Sequence, residues 1–559
     1  MAALGFLACL LTVVMNPSLT AGLGKLPADA ADRMFQSWQL AWNGHGLLHQ
    51  PLDFFDSNAF WPLENSVAFS DALIGFTPAG LFGSGPEAAL VRYNLVFLFC
   101  YASAFFAASL LGREIGLGWP AALVAGAAFG FAPFRLAHYN HLHVLASAPI
   151  PLTLFLLLRG YRRARPGMVI AGFAVATWQV SIGFTLGVPL AYLLGLLAVV
   201  AGVSWRRKPR PALGRPMVVA TVAGLGLLVA WSGAQAVPYL RVLEEHPEAE
   251  RTTDYLRFYS PPLHSFLVAP AESLLWGEPT GGLREQVTWA PEMALFPGVT
   301  VLALAAIGLV SGPLSTRWRV GLAAGAAGSA VLALGYSFFG GALTYNLLYE
   351  LAPGWQGSRT PGRLFTFTSL ALALLAGAGV SALRTRNSRT GRSGAGSASP
   401  DPAGPARYRR RAAAVALPAV LLLAVLAEGL GRPPVLADPP LRALASDEPQ
   451  LHLPSDDFND FVYMFWSTAG FPDIVNGYSG FTPALLGNLR TDLRSFPDAG
   501  TVARLKELGV RTVVLHVDRA AGTPWAGAHL QPVEGLPLSR VVEGQTVRFD
   551  LDAAPAEAR

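Results

Sequence analysis

Stretches of about 17 to 25 consecutive apolar residues recur along this chain, which is the length an α-helix needs to cross a bilayer's hydrocarbon core. Inside lipid every backbone N–H and C=O must find a partner within the segment, so runs of this kind specify helices. With slightly shorter runs admitted where turn residues crowd the ends, the sequence predicts spans near residues 2–18, 89–111, 119–134, 143–159, 168–182, 184–204, 217–237, 293–312, 319–338, 364–383 and 412–430. The fold class is therefore an α-helical polytopic membrane protein with about eleven transmembrane helices. Composition agrees, since 52% hydrophobic and 14% charged residues over 559 positions is too apolar for a soluble domain.

The formal charge of +5 raises the question of nucleic acid. The arginines, however, gather in short runs between apolar spans, the pattern of cytoplasmic membrane loops, and nucleic acid is set aside as a partner. Cys9 and Cys100 both fall inside apolar spans, which excludes a disulfide framework or a cysteine-based zinc site. Met1 to Met15 lacks a basic leader and reads as a first membrane helix rather than a removed signal peptide.

Counting basic residues on alternate sides orients the chain. Arg113, Arg159 to Arg165, Arg206 to Arg215, Arg317 with Arg319, and Arg384 to Arg411 share one side, which the positive-inside rule makes cytoplasmic. Residues 1–430 then form a polytopic membrane domain with large extracytoplasmic loops at about 24–88, 238–292 and 339–363, and the protein is a multi-pass cell-membrane protein. Residues 386–407, rich in Gly and Ser, read as a flexible cytoplasmic linker. Residues 431–559 lose the long apolar runs, and there 501–508 has helical spacing, 511–517 reads as a buried strand and 541–547 as a hairpin. This is a small C-terminal extracytoplasmic α/β domain. Gly126 with Gly130 and Gly308 with Gly312 have the small-xxx-small spacing of closely packed helices.

The chemistry-bearing residues concentrate in the first loop. From Asp32 to Asp71 it holds five acids, two histidines and three tryptophans. Phe35, Trp38 and Trp42 recur at helical spacing, as in a helix lying flat in the headgroup region. Asp29 and Asp32 can simply cap that helix; alternatively Asp32 is a general base, partly desolvated and so raised towards a useful pKa. His45 and His49 with Asp53 and Asp56, and separately His138, His141 and His143, have donor types that can ligate a divalent metal, although interfacial histidines that only hydrogen-bond are commoner. No metal or other cofactor is expected. Thr360 as N-cap with Pro361 after it sets a helix N-terminus beside Arg359 and Arg363, an anion site at headgroup depth or two arginines snorkelling to lipid phosphate; Arg135 can join it. The spans carry almost no charge in their middles, against a proton-coupled pump, and there is no Walker A sequence.

Taken together, Asp32, Trp38, Trp42, Phe55-Asp56, Phe60-Trp-Pro62, Ser70-Asp71, Arg135 with His138 and His141, Glu292 with Leu295-Phe-Pro-Gly298, Arg359 to Arg363 and Asn476-Gly-Tyr-Ser-Gly-Phe481 resemble the GT-C superfamily of polytopic membrane glycosyltransferases. The resemblance covers most of the chain and implies transfer of a sugar from a polyprenyl-phosphate donor to a hydroxyl acceptor on the outer face. It places the catalytic carboxylate at Asp32, with Asp71 or Asp56 as partner, and substrate contacts at Arg135, His138, His141, Arg359 and Arg363. Asp32 is followed by Arg33, not a second acid, so a metal-binding acidic pair is not implied. The expected partners are a polyprenyl-phosphate-linked sugar, a glycan or lipid acceptor and membrane lipids. The alternative function is a non-catalytic membrane protein that binds or presents lipid-linked glycans.

Overall fold

Each apolar run expected to span a membrane coincides with a helix in the computed structural model, which describes residues 1–27, 30–207, 213–393, 405–442, 444 and 449–551. Among the described residues six helical stretches are long and apolar enough to cross a membrane: Gly85–Ile115, Trp119–His138, Leu142–Arg162, Phe184–Ser204, Arg215–Glu245 and Pro361–Arg386. The count of eleven spans is therefore not established. The other five windows fall on Ala2–Met15, Pro166–Ile182, Val299–Ser311, Thr316–Ala333 and Pro405–Glu428, helices that are too short or whose described apolar part is too short, or that carry arginine at one end.

The chain divides into two compact units, the first made of Met1–Ala21, Phe97–Gly233 and Arg251–Pro434. Here the helix Phe365–Ser393 packs against Trp119–Gly130, Val299–Ser311 and Thr316–Ala333. A Cβ at Gly308 would collide with the carbonyl oxygen of Leu375 and lie 2.7 Å from the nitrogen of Gly379, so only a residue without a side chain lets these backbones meet. Gly312 likewise meets Ala378, and Gly126 and Gly130 meet Phe105, as the small-residue spacing predicts. The linker expected over 386–407 is helical up to Ser393 and again from Pro405, and its centre lies outside the described residues.

The second unit comprises Gly22–Val96, Ala234–Glu250 and Val435–Arg559. It holds a four-stranded sheet in which Gln450–Leu453 runs parallel to Thr512–His516, Thr546–Asp550 pairs antiparallel to the latter, and Ser539–Glu543 closes the edge as a hairpin. Leu451, Val513 and Phe549 come into register on one face and are buried with Leu453, Leu515 and Val547. The helix Ala499–Leu508 starts with an Asp498/Thr501 capping box and ends at Gly509 in the left-handed region.

One element departs from expectation. The helix Ala31–His49 does not lie flat on a surface: Arg33 to Gly44 are all buried, on every side of the helix. Its polar residues are spent inside the unit, Gln39 donating to the carbonyl of Asp71, Asn43 to that of Ala72 and Ser37 to that of Arg33. Its aromatic stripe of Phe35, Trp38 and Trp42 packs into a core with Phe60, Phe69, Tyr463, Trp466 and Ile474. Ala30 is the N-cap and Asp32 sits inside the first turn, where the helix dipole favours its negative charge.

Candidate functional site

In the second unit, Asp32 is half-buried and its Oδ1 accepts a hydrogen bond of 3.2 Å from the Tyr478 hydroxyl. The following residue, Arg33, donates to Asn94 Oδ1 at 3.0 Å with its guanidinium over the Tyr93 ring. Asp71 lies in a turn held from three directions. Gln39 binds its carbonyl, Asn43 binds the carbonyl of Ala72, and the Tyr239 hydroxyl bridges Ser70 O and Ala72 N at 3.0 Å each. His45 and His49 stack at 4.3 Å, while Asp56 accepts from the backbone of Asn65, so these four residues do not converge.

The first unit gathers a second cluster. Pro133 opens a short 3₁₀ turn, Pro133–His138, whose end is tied to the next residues by His141 N–H to His138 O. Arg135, buried, closes this loop by donating to Ser147 Oγ at 2.8 Å and Leu145 O at 2.9 Å, with Tyr101 beneath its guanidinium. Arg135 thus serves the loop that presents His138 and His141. Glu292, on the short turn Ala290–Met293, is buried, and Arg363 closes on both its oxygens at 3.0 and 3.2 Å from Nε. Gly362 permits this, because a Cβ there would collide with the Glu292 carbonyl oxygen. Arg363 also donates to His143 Nε2 at 2.9 Å, which places that ring's proton on Nδ1. Burial opposes the charge on Glu292, but Arg363, His138 and His141 outweigh it and hold the carboxyl well below the usual range.

His138 Nδ1, His141 Nδ1 and a Glu292 oxygen lie within 4.8 Å of one another, the spacing of a metal triad. The charge balance fits a different use. Arg363 already neutralises the carboxylate, and the two Nδ1 atoms, 3.4 Å apart, suit a shared hydrogen bond. A dication would enter beside an engaged guanidinium with, among the described residues, no further acid in the cluster.

Beyond this network lies a second group of cations. Arg359, half-buried, donates to the Tyr255 hydroxyl at 3.2 Å and covers the Tyr259 ring, while Arg251 covers the ring of Tyr255. Burial lowers the pKa of Arg251, and the charge of Arg359 lowers it further. Arg359 itself is held in its charged form, burial being outweighed by Tyr255, Glu292 and Tyr259, so the two guanidiniums with phenols between them form a cationic corner that can receive an anion.

The structure thus brings His138, His141 and Arg363 together and engages Arg363 with Glu292 rather than leaving it to face an anion beside Arg359. Sequence reasoning gave Glu292 and Tyr478 no role and passed over Arg251, Tyr255 and Tyr259. The aromatic and arginine density of 251–259 was the one available signal.

No sequence-family model matches the chain, and no curated protein matches it. Solved structures similar to it in fold include glycosyltransferases of the GT-C type. In particular, it is similar to the mycobacterial arabinofuranosyltransferase AftD, with a TM-score of 0.56 and 17% identity over 99% of this chain and 40% of that one. The chain therefore spans about two fifths of the length of AftD. The oligosaccharyltransferase AglB from Archaeoglobus fulgidus, in complex with an inhibitory peptide and dolichol phosphate, superposes at a TM-score of 0.44 with 14% identity, covering 92% of this chain and 69% of that one. ArnT from Cupriavidus metallidurans, bound to undecaprenyl phosphate, gives 0.43 and 15%, covering 99% and 98%.

Proposed function

We propose that this chain is a membrane glycosyltransferase that moves a sugar from a polyprenyl-phosphate donor to a hydroxyl acceptor on the extracytoplasmic face. The observation that carries the reading is Asp32, a half-buried carboxylate in the first turn of a buried helix with a phenol donating to it, in a chain of GT-C fold. A general base must remove the acceptor's proton as the anomeric carbon–oxygen bond to phosphate breaks. Asp32 takes that role, with Asp71 as its partner in the same unit. The departing phosphate needs cations, and Arg359 with Arg251 supplies them on the geometry of its own unit. His138, His141, Arg135 and Arg363 shape the neighbouring wall through the Glu292 network.

The test uses a panel of synthetic polyprenyl-phosphate pentoses and hexoses with the purified full chain, following release of polyprenyl phosphate. Asp32→Asn is expected to abolish release while the protein still inserts and binds donor. Wild-type turnover in that variant would leave Asp32 a structural residue, since asparagine satisfies a helix start as well as aspartate does.

A further inference from the structure

We propose that Tyr478 is a positioning residue for Asp32: its hydroxyl holds the carboxylate in its ionised form and in one orientation, and a buried polar network holds Tyr478. The inference rests on the reading of Asp32 as the base. The two residues are 446 positions apart, so their contact is wholly a product of tertiary structure.

The tyrosine ring packs against two aromatic neighbours. Phe35 meets it edge-on at 5.6 Å, and Phe461 meets it edge-on at 5.6 Å from the helix Asp460–Ser467. With the ring packed in this way, the O–H is aimed at Asp32 Oδ1 rather than free to sweep. The backbone behind it is anchored as firmly. Tyr478 N–H points at Met464 Sδ at 3.1 Å, and Gly477 N–H donates to Asp460 Oδ2 at 3.3 Å. The side chain of Asn476 donates to Asp460 Oδ1 at 2.8 Å and to His452 O at 2.9 Å, and accepts from His452 N at 2.7 Å. Asp460 is fully buried and is itself held by Arg490 and Ser455, each at 3.0 Å. Such a network, satisfied at each of these atoms, rigidifies the segment that carries it.

The charged groups on the Asp32 helix and on the elements packed against it include Asp460, Arg33 and Asp71. Asp460 is paired with Arg490, Arg33 is directed to Asn94, and Asp71 lies in the turn pinned by Gln39 and Tyr239. A phenol that donates to a carboxylate stabilises the charged form, so removing the hydroxyl makes the carboxyl easier to protonate.

The experiment needs no substrate. The full chain in detergent is labelled with a water-soluble carbodiimide and an amine, which modify protonated carboxyls, and the extent of labelling at Asp32 and Asp71 is read by peptide mass spectrometry across the carboxylate range of pH. In Tyr478→Phe, which keeps the ring packing, the Asp32 midpoint is expected to rise by about one pH unit, the size of one hydrogen bond to a charged group, with Asp71 unmoved. Phe461→Leu, which loosens the ring but keeps the hydroxyl, is expected to move Asp32 the same way by less, and it stands in should Tyr478→Phe fail to fold. Unmoved Asp32 midpoints overturn the inference while leaving Asp32→Asn turnover to decide whether Asp32 is the base. Full turnover in Asp32→Asn removes the base without altering the midpoints.

Discussion

Arg363 holds Glu292 by both carboxylate oxygens and reaches His143 with its remaining amino group, although arginine and acid are 71 residues apart. Both side chains are buried, so neither charge has water to fall back on.

Removing one partner should therefore be far costlier than removing both. Glu292→Ala is expected to destabilise the chain by about 3 to 5 kcal/mol, and the double change Glu292→Met with Arg363→Met to recover most of that, measured by thermal unfolding in detergent. Because the folded carboxyl titrates below its usual range, its contribution is present above that range and is lost only as pH falls through the depressed folded value.

Arg359 is assigned to the donor phosphate, so Arg359→Ala should weaken donor binding by about ten- to a hundredfold, the loss of a charge-assisted hydrogen bond. Titration with a fluorescent short-chain polyprenyl phosphate measures it. Undiminished affinity would remove Arg359 from the donor site.

Acid should loosen the sheet-bearing unit. Arg442 donates to His516 Nδ1 at 3.1 Å, which leaves the His516 proton on Nε2 to face His452 Nδ1, also at 3.1 Å. Burial, then Arg442 and Arg519, push His516 down to about 3, and burial with His516 pushes His452 down as well. Depressed folded values mean that stability is present above the ordinary imidazole range and is lost as pH falls through it towards the folded values. Asp460, pushed up to about 6 by burial against the pull of Arg490, works the other way, its share being lost as pH rises. Two imidazoles outweigh one carboxyl, so limited proteolysis should cut residues 435–551 faster at about pH 5 than at about pH 7. His516→Gln should flatten that dependence.

Gly308→Leu is expected to abolish the folded protein in detergent size-exclusion chromatography, because the new side chain has to enter the space of the Leu375 carbonyl. The control is Gly321→Ala, where a Cβ meets nothing within 4 Å and no loss is expected.

A reporter active only outside the cytoplasm should work when fused after residue 559 and stay silent when inserted near residue 397. The motive is the arginine-rich character of 384–411. The reverse result would move Asp32 and Arg359 to the cytoplasmic face.

Local signals were readable where local physics decides. The strand Thr512–His516, the hairpin of Ser539–Glu543 with Thr546–Asp550 and the close helix contact at Gly308 all follow from patterns within a few residues. The helix carrying Asp32 was readable as a helix but not in its surroundings. Periodicity reports a face, and here Gln36, Gln39 and Asn43 are buried too, Gln39 and Asn43 donating to the distant backbone carbonyls of Asp71 and Ala72. The pairing of Glu292 with Arg363 and of Tyr478 with Asp32 had no local trace, since each joins side chains far apart in sequence. Asp32 itself stood out by position and chemistry, and the Asp32→Asn assay reads its function directly.

The core that encloses Trp38 and Trp42 is completed by Tyr463, Trp466 and Ile474, from the last of the three segments that build its unit. During synthesis the helix Ala31–His49 therefore emerges some four hundred residues before the last of its walls, Phe60 and Phe69 arriving early and Tyr463 to Ile474 late. A ribosome stalled before residue 435 should hold a nascent chain whose Trp38 region is open to protease, and release of the remaining segment should close it.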